Sequence, residues 1–260
     1  MVMGILNVTP DSFSDGGLWF NRDSALRHAK EMVDAGADLI DVGGESTRPG
    51  AAEVSMQEEL DRVIPLVESI GAETGIPVSV DTSKPEVMSA AVAAGAAMIN
   101  DVYAFRREGA LDTVAALDVP VCIMHMQGTP RDMQREPRYL DVTREVLDFL
   151  VERASICRQA GIPAERIVID PGFGFGKSLQ HNMELFHHLK TFVATGYPVL
   201  VGISRKSMLG QITGRAVEQR IAASSSAALL AAQAGAMILR VHDVAETVDA
   251  LKILDALTVD

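Results

Sequence analysis

Short apolar runs that end in polar or glycine-rich segments recur along the whole chain. The first run ends at Asn7 and gives way to a loop-forming stretch of Pro, Asp, Ser and Gly residues. Seven more runs follow, at residues 39–42, 78–81, 98–101, 121–125, 167–170, 199–204 and 237–242. The runs are largely continuous in apolar residues instead of alternating regularly with polar ones. This pattern predicts the strands of a parallel sheet that helices cover on its outer face.

Amphipathic helices are predicted between these strands. One spans residues 24–35 and stops at Gly36, and a second begins at the capping box Ser55-Met56-Gln57-Glu58 and continues to about Glu73. Pro85 occupies a first helical turn, where its missing N–H would be unpaired anyway. Further helices are expected near residues 110–117, 140–160, 182–195, 219–234 and 244–257. Several glycines that follow helices are expected to form left-handed C-caps: Gly36, Gly75, Gly95, Gly161 and Gly235.

One strand followed by one helix, repeated eight times, predicts an α/β protein with the (β/α)8 barrel, or TIM barrel, fold. The length of 260 residues is typical of one such barrel, so residues 1–260 are expected to form a single domain. A doubly wound open sheet is the alternative. Polar residues at the ends of nearly all strands favour the closed barrel, because catalytic groups lie at that end of its strands.

The charge balance argues against two classes of partner. The chain has 35 acidic and 23 basic residues, a net charge of −12, whereas a nucleic-acid or anionic membrane surface needs clustered basic charge. Neither partner is therefore expected. Cys122 and Cys157 are too few for a disulfide framework and are expected to be reduced thiols of a cytoplasmic protein. We also expect no signal peptide, and no apolar run approaches the length that spans a bilayer.

Asp81, Asn100 and Asp170 stand at the ends of the third, fourth and sixth predicted strands. In a barrel these side chains converge at one mouth, although any one of them alone could instead be a structural strand-end cap. Two carboxylates and one carboxamide supply acceptors and donors that suit a flat heterocycle with an amidine-like edge. Met124 and Phe175 are apolar neighbours that could pack against such a ring, and ordinary core packing is the alternative for each.

A second group of candidate residues is cationic. Lys206 follows the seventh strand, and Arg240 and His242 share one face of the eighth because strand side chains repeat every two residues. The loops after these two strands often bind phosphate in such barrels. For His242 the alternative is a hydrogen-bonded core histidine. The first two loops add three candidates: Asn7, Thr47 and Arg48. They could supply hydrogen-bond donors and an oxygen that faces a metal ion. For Arg48 the alternative is a solvated charge on the loop.

Residues 172–178, Gly-Phe-Gly-Phe-Gly-Lys-Ser, look like the phosphate-binding loop of ATPases. Pro171, however, occupies the position of the first glycine that this motif requires, and it has no N–H to offer a phosphate. We therefore exclude an ATP-binding loop. The glycines are expected to let the backbone pass closely beneath a ring-shaped ligand.

Seven blocks of sequence, spread from Gly4 to Val244, resemble the dihydropteroate synthase family of bacterial folate synthesis. They are GILNVTPDSFSDGG, DVGGESTRPGA, SVDTSKPEV, INDV, DPGFGFGK, GISRKSMLG and RVHDV. The resemblance implies a barrel that condenses 6-hydroxymethyl-7,8-dihydropterin diphosphate with p-aminobenzoate and releases diphosphate with the assistance of Mg²⁺. It also implies a homodimer that sulfonamides inhibit. The short N-terminal hairpin that family members usually carry beneath the barrel is expected to be absent.

The resemblance also implies roles for particular residues. The pterin-binding positions are Asp81, Asn100, Met124, Asp170, Phe175, Gly202, Lys206 and Arg240. The diphosphate-binding positions are Asn7, Thr47, Arg48, Arg240 and His242, and Asn7 is also the Mg²⁺ contact. The p-aminobenzoate-binding positions are Phe13, Thr47, Pro49, Phe175, Lys206 and Ser207. The positions expected to act in catalysis are Asp81, Asp170, Lys206, Arg240 and His242.

The family's reaction is understood as dissociative: diphosphate leaves first, and the arylamine traps a resonance-stabilised pterin cation. Asp81 and Asp170 would then stabilise the positive ring. The departing anion would be held by Arg240, His242, Asn7 and Mg²⁺. The first two loops would fold over the site and exclude water, which would otherwise capture the cation.

Two other classes of protein are alternatives. A pterin-binding methyltransferase domain shares the barrel and the Asp and Asn contacts, but it would not need the Ser-Arg-Lys-Ser segment at 204–207 or the p-aminobenzoate loops. A non-catalytic pterin-binding or scaffold protein would have lost catalytic positions, and none of those carried over is missing. Within the enzyme class, a sulfonamide-insensitive synthase is the alternative. Phe13, residues 47–49 and Ser207 are all of the ordinary type, so we predict sensitivity.

Overall fold

Eight short parallel strands form the centre of the protein. The computed structural model describes residues 1–8, 18–47, 50–51 and 53–258, except for the side chains of residues 18–21. The strands are β1 (Val2–Asn7), β2 (Leu39–Gly43), β3 (Val78–Asp81), β4 (Met98–Asp101), β5 (Val121–Met124), β6 (Ile167–Asp170), β7 (Leu200–Val201) and β8 (Ile238–Val241). They pair in the order β6-β5-β4-β3-β2-β1-β8-β7, and an isolated bridge between Ile169 and Val199 joins the two ends. The predicted (β/α)8 barrel is confirmed, with a weakly paired seam between β6 and β7.

Ten helices surround the strands within the described part of the chain. They are α1 (Leu18–Asp34), α2 (Met56–Thr74), α3 (Pro85–Ala93), α4 (Ala110–Ala115), α5 (Val142–Gln159), α6 (Leu179–His187), α7 (Leu189–Val193), α8 (Ser207–Thr213), α9 (Ile221–Gln233) and α10 (Val244–Leu257). None of the described helices combines the length and the apolar character that crossing a bilayer requires.

The local signals for helix ends are confirmed. The Ser55 hydroxyl accepts the N–H of Glu58, and the Glu58 carboxylate accepts the N–H of Ser55 at 3.1 Å, which completes the predicted capping box. Pro85 is the first residue of α3. All five glycines predicted to end helices have positive φ angles, between 68° for Gly75 and 103° for Gly161.

Some predicted boundaries are wrong. β7 contains two residues instead of residues 199–204, because the backbone turns after it and the N–H of Lys206 donates to the carbonyl of Ile203. The single helix predicted for residues 182–195 is divided at His188 into α6 and α7. The short α8 was not predicted, and α1 begins at Leu18 instead of residue 24.

Residues of the barrel interior are stacked in layers. The lower layer is an apolar cluster of Met3, Leu39, Met98, Cys122, Val168, Leu200 and Ile238. Side chains repeat every two residues on a strand, so the residue two positions further along each strand also faces the interior. These residues are Ile5, Asp41, Asn100, Met124, Asp170, Gly202 and Arg240. The apolar lower layer is therefore followed, two residues further along the strands, by a largely polar layer. We call this second layer the floor.

Candidate active site

A cavity of about 1050 Å³ opens at the carboxyl ends of the strands. Many of the predicted site residues line it: Asn7, Thr47, Phe175, Gly202, Lys206, Ser207, Arg240 and His242. Asp81 lines an adjoining cavity of about 360 Å³, which shares Ser46 and Thr47 with the larger one. Three predicted residues, Phe13, Arg48 and Pro49, lie outside the described residues.

The register of the strands places several polar residues side by side near the carboxyl ends of neighbouring strands. Asn7 of β1 is paired with Gly43 of β2, and Gly43 is paired with Asp81 of β3. Asp81 is in turn paired with Asn100 of β4. Across the barrel, Met124 and Asp170 are paired in the same way. The structure thus brings together residues that are far apart in the sequence, as the strand-end pattern predicted.

Arg240 is bound between two carboxylates on the cavity floor. Its Nε donates to Asp41 Oδ2 at 2.7 Å, and its Nη2 donates to Asp81 Oδ2 at 3.1 Å. Asn100 Nδ2 also donates to Asp41 Oδ2, at 3.4 Å. Burial disfavours the charged guanidinium, but Asp41 and Asp81 outweigh it and raise the pKa of Arg240 above its ordinary value. The guanidinium is therefore fixed as a permanent cation facing the cavity.

Asp41 is a site residue that the sequence analysis missed. It is fully buried, and it lies in the middle of an apolar strand instead of at its end. A charged residue within such a run was a usable signal, because a buried carboxylate requires a charged or hydrogen-bonding partner. The identity of that partner, Arg240, was not evident because 199 residues separate the two.

Burial changes the protonation of two predicted pterin-binding carboxylates. Burial raises the pKa of Asp81 to about 8, an effect that Arg240 opposes and Asp41 reinforces. Burial also raises the pKa of Asp170, while Lys206 and the N–H of Gly172, which donates to Asp170 Oδ1 at 2.7 Å, lower it. Both carboxyl groups can therefore respond to the charge of a bound heterocycle.

Lys206 lies against the Phe175 side of the cavity. Its ammonium donates to the carbonyl of Phe173 and stands 4.6 Å from the centroid of the Phe175 ring. Burial lowers the pKa of Lys206 to about 8, although the carboxylate of Asp170 opposes that change. Phe175 packs against an apolar cluster that includes Met124, so the structure brings together the two predicted ring contacts.

His242 stands just beyond β8, which ends at Val241, so its prediction as a strand residue is wrong. It nevertheless lines the same cavity as Arg240. Its ring Nδ1 lies 3.1 Å from the hydroxyl oxygen of Ser204, and its backbone N–H donates to that oxygen at 3.1 Å. These contacts orient the imidazole at the wall of the cavity.

The segment that looks like a phosphate-binding loop folds inward. The Lys177 ammonium is buried, 2.9 Å from His125 Nδ1 and 2.9 Å from the carbonyl oxygen of Gly172. This arrangement agrees with the exclusion of an ATP-binding loop. The expected close approach of the glycines to a ligand stays a prediction: Gly174 lines the cavity, whereas the close contacts of Gly172 and Gly176 are internal. A Cβ atom on Gly172 would lie 2.0 Å from the carbonyl oxygen of His125, and one on Gly176 would lie 2.6 Å from that of Gln127.

The cavity therefore has two chemically different parts. Its floor offers carboxylates and a carboxamide to a heterocycle that can become positively charged. The side formed by Lys206, Arg240 and His242 offers donors to an anion, such as a phosphate-bearing leaving group. A second reactant could enter between Phe175 and Ser207, which is exposed at the first residue of α8.

Known proteins share this sequence and fold. The sequence profile of the family described as Pterin binding enzyme matches residues 3–242. The dihydropteroate synthase of Escherichia coli K12 is 52% identical over 255 residues, which are 98% of this chain and 90% of that one. A crystal structure of Yersinia pestis dihydropteroate synthase with a sulfonamide drug complex is 52% identical, with a TM-score of 0.94 over 98% of this chain and 93% of that one. Xanthomonas albilineans dihydropteroate synthase with 4-aminobenzoic acid is 57% identical, with a TM-score of 0.95 over 100% of this chain and 93% of that one. The chain belongs to the dihydropteroate synthase family of pterin-binding transferases.

Proposed function

We propose that the protein condenses 6-hydroxymethyl-7,8-dihydropterin diphosphate with p-aminobenzoate, giving 7,8-dihydropteroate and diphosphate. The observation that supports this most directly is the pair of buried carboxylates, Asp41 and Asp81, which fix the guanidinium of Arg240 at the boundary between the two parts of the cavity. A substrate that joins a heterocycle to a diphosphate would place its breaking bond at that boundary.

In this proposal the pterin lies on the floor of the cavity. Asp81 and Asp170 accept its N–H groups, Asn100 supplies both a donor and an acceptor, and Met124 packs against the ring. Gly202 lines the cavity beside Arg240, and its lack of a side chain is proposed to leave room for the ring. Lys206 lies between the pterin and the arylamine.

The proposed substitution is dissociative. The bond between the pterin methylene carbon and the diphosphate oxygen breaks first, and both of its electrons leave with the diphosphate. The buried carboxylates then stabilise the positive charge that spreads over the pterin ring, while Arg240 and His242 hold the diphosphate. The nitrogen of p-aminobenzoate attacks the methylene carbon and afterwards loses its extra proton.

Magnesium is proposed to arrive with the diphosphate. Among the residues that the structure describes, no group of three or more His, Cys, Asp and Glu side chains could hold a metal ion. Asn7 lines the cavity, and a Cβ atom on the neighbouring Gly43 would lie 3.3 Å from the Asn7 carboxamide oxygen, so the glycine avoids a close contact with that oxygen. A single protein oxygen fits Mg²⁺, which usually retains water ligands and binds substrate phosphates. When bound, the ion would neutralise charge on the diphosphate.

We propose that sulfonamides compete with p-aminobenzoate in the space beside Phe175 and Ser207. The Yersinia pestis relative with its sulfonamide drug complex supports this assignment. Phe13, Pro49 and Thr47 are proposed to complete that space. The proposal further includes a cytoplasmic homodimer, for which sedimentation equilibrium of the purified protein tests the oligomeric state.

Diphosphate release tests the reaction, and isotope exchange tests its order of steps. The purified protein is expected to release diphosphate and form 7,8-dihydropteroate only when both substrates and Mg²⁺ are present. Pterin diphosphate labelled with ¹⁸O at the bridging oxygen is then incubated with enzyme but without p-aminobenzoate. Reversible cleavage moves the label into non-bridging positions, whereas a concerted substitution leaves it in place. Absence of release with both substrates present contradicts the function itself.

A further inference from the structure

The glycine-rich segment 172–176 turns its carbonyl groups toward side-chain donors. In a phosphate-binding loop the N–H groups converge on an anion, so the polarity here is reversed. Every carbonyl of the segment accepts a side-chain donor. Gly172 and Phe175 accept from Lys177, Phe173 from Lys206, Gly174 from Gln134, and Gly176 from Tyr139 at 2.8 Å.

Lys177 is the donor at the centre of this segment. It is 3% exposed, and its Nζ lies 2.9 Å from the Gly172 oxygen and 3.0 Å from the Phe175 oxygen. The same nitrogen is 2.9 Å from His125 Nδ1, which anchors the segment to the end of β5. Without Lys177, the carbonyl of Phe175 would lose its side-chain donor, and the carbonyl of Gly172 would keep only the N–H of Phe175.

The shape of this segment determines the position of two groups in the cavity. The carbonyl of Phe173 accepts a hydrogen bond from the Lys206 ammonium, and the Phe175 ring lies 4.6 Å from the same ammonium. Lys177 does not line the cavity, so its hydrogen bonds reach these groups through the backbone that it holds, beside the Coulomb interaction of its amine with Asp170 and Lys206.

We propose that Lys177 is a positioning residue, which holds segment 172–176 in the shape that places the Lys206 ammonium and the Phe175 ring for reaction. This inference rests on the proposed function, because it concerns the wall of the same cavity. It assigns the lysine of the phosphate-loop-like motif a role opposite to that of the lysine in an ATPase: here it binds the protein's own carbonyl groups.

The first test replaces Lys177 with Met, which keeps the length of the side chain and removes its donors. We expect kcat/KM for p-aminobenzoate to fall about tenfold to a hundredfold, the size of effect that a small misplacement of a reacting group produces. The affinity for pterin diphosphate, measured by calorimetry, should fall less, because Asp81 and Asn100 are held by other strands. The control is Leu150→Ala in the core of α5, which should lower thermal stability without this selective loss.

Chemical rescue provides the second test. Lys177→Ala removes three carbons and the nitrogen, and n-propylammonium replaces the same atoms. Added n-propylammonium should restore dihydropteroate formation in a saturable manner, while n-propanol should restore less of it. Neither compound should increase the activity of Leu150→Ala.

Three results would overturn the inference: an unchanged kcat/KM in Lys177→Met, equal losses for both substrates that match those of Leu150→Ala, or no response of Lys177→Ala to n-propylammonium. If neither Lys177 variant folds, Tyr139→Phe tests whether the shape of the segment matters, because it removes only the hydroxyl that donates to the Gly176 carbonyl. An unchanged KM for p-aminobenzoate in that variant then contradicts the inference. A wild type that releases no diphosphate contradicts the proposed function, whereas an active wild type with an unaffected Lys177→Met contradicts the positioning role alone.

Discussion

At the scale of single residues, two buried carboxylates at strand ends have different tasks. Asp170 faces the cavity floor and accepts one backbone N–H, from Gly172. Asp101 accepts two backbone N–H groups, from Tyr103 at 2.8 Å and from Phe105 at 2.7 Å. Asp101 therefore closes the turn after β4, and only Asp170 has an oxygen left for a ligand.

Asp170→Asn should keep the fold and weaken pterin binding. The replacement is nearly isosteric, but it removes the charge that would pair with the ring, a loss typically worth about 2–5 kcal/mol. Asp101→Asn is the matched variant, and it should lower the free energy of unfolding while leaving pterin affinity unchanged. Calorimetric titration with pterin diphosphate and chemical denaturation measure the two quantities. Wild-type affinity in Asp170→Asn contradicts its proposed role.

The ammonium of Lys206 should limit activity at alkaline pH. Since burial lowers its pKa to about 8, the charged form is lost as pH rises through that value, and kcat/KM should fall. Asp81, with its pKa raised to about 8, ionises in the same range, but its ionisation supplies the carboxylate that binds the pterin and acts in the opposite direction, so the pH profile reports the balance of the two groups. Lys206→Arg stays charged and should move the alkaline decline to higher pH. A decline that remains near pH 8 in this variant assigns it to another group.

At the scale of elements, the apolar runs were sufficient to predict seven strands closely, because each is buried on both sides and ends at or just before a polar or glycine-rich segment. The eighth, β7, is short because it lies at the seam, a tertiary property that no local pattern expresses. Asp41 shows the same limit for the site, since the sequence displayed a charged residue within a strand but not its contact with Arg240. Phe13, Arg48 and Pro49 remain predictions.

The capping box at the start of α2 offers a test at this scale. Ser55→Ala removes the hydroxyl that accepts the N–H of Glu58 and should lower the free energy of unfolding by about 1 kcal/mol. Ser226→Ala, in an exposed position within α9, is the control and should cause no loss because alanine is the better helix former. Urea denaturation distinguishes the two. Equal stabilities would show that the cap contributes nothing.

At the scale of the whole molecule, the strand pairing of the barrel is weakest beside two residues of the proposed site. β6 and β7 share an isolated bridge within the described sheet, whereas β1 and β2 pair over five positions. Asp170 lies on one side of this seam and Lys206 on the other. A bound pterin would contact both sides and so complete the ring of strands.

Hydrogen exchange should reveal this difference. Amides of residues 199–203 are expected to exchange faster than those of β2 and β3, because local opening requires few hydrogen bonds to break at the seam. Binding of pterin diphosphate should slow exchange at residues 199–203 more than elsewhere in the barrel. Mass spectrometry of peptic fragments measures both effects. Equal protection of β7 and β2 without ligand contradicts the weakness of the seam.

The inward carbonyl groups of segment 172–176 also determine what the interior of this loop can bind. Two of these oxygen atoms bind the Lys177 nitrogen, so the interior of the loop holds a basic group and offers free phosphate no ring of N–H donors, although the sequence looks like a phosphate-binding loop. Conversion of the segment into a nucleotide-binding loop would require the rotation of every peptide plane, not the replacement of Pro171 by glycine alone. A search that tolerates Pro171 and scores only the glycines and the lysine would therefore select a loop that directs carbonyl oxygens inward, where the search seeks a loop that directs N–H groups inward.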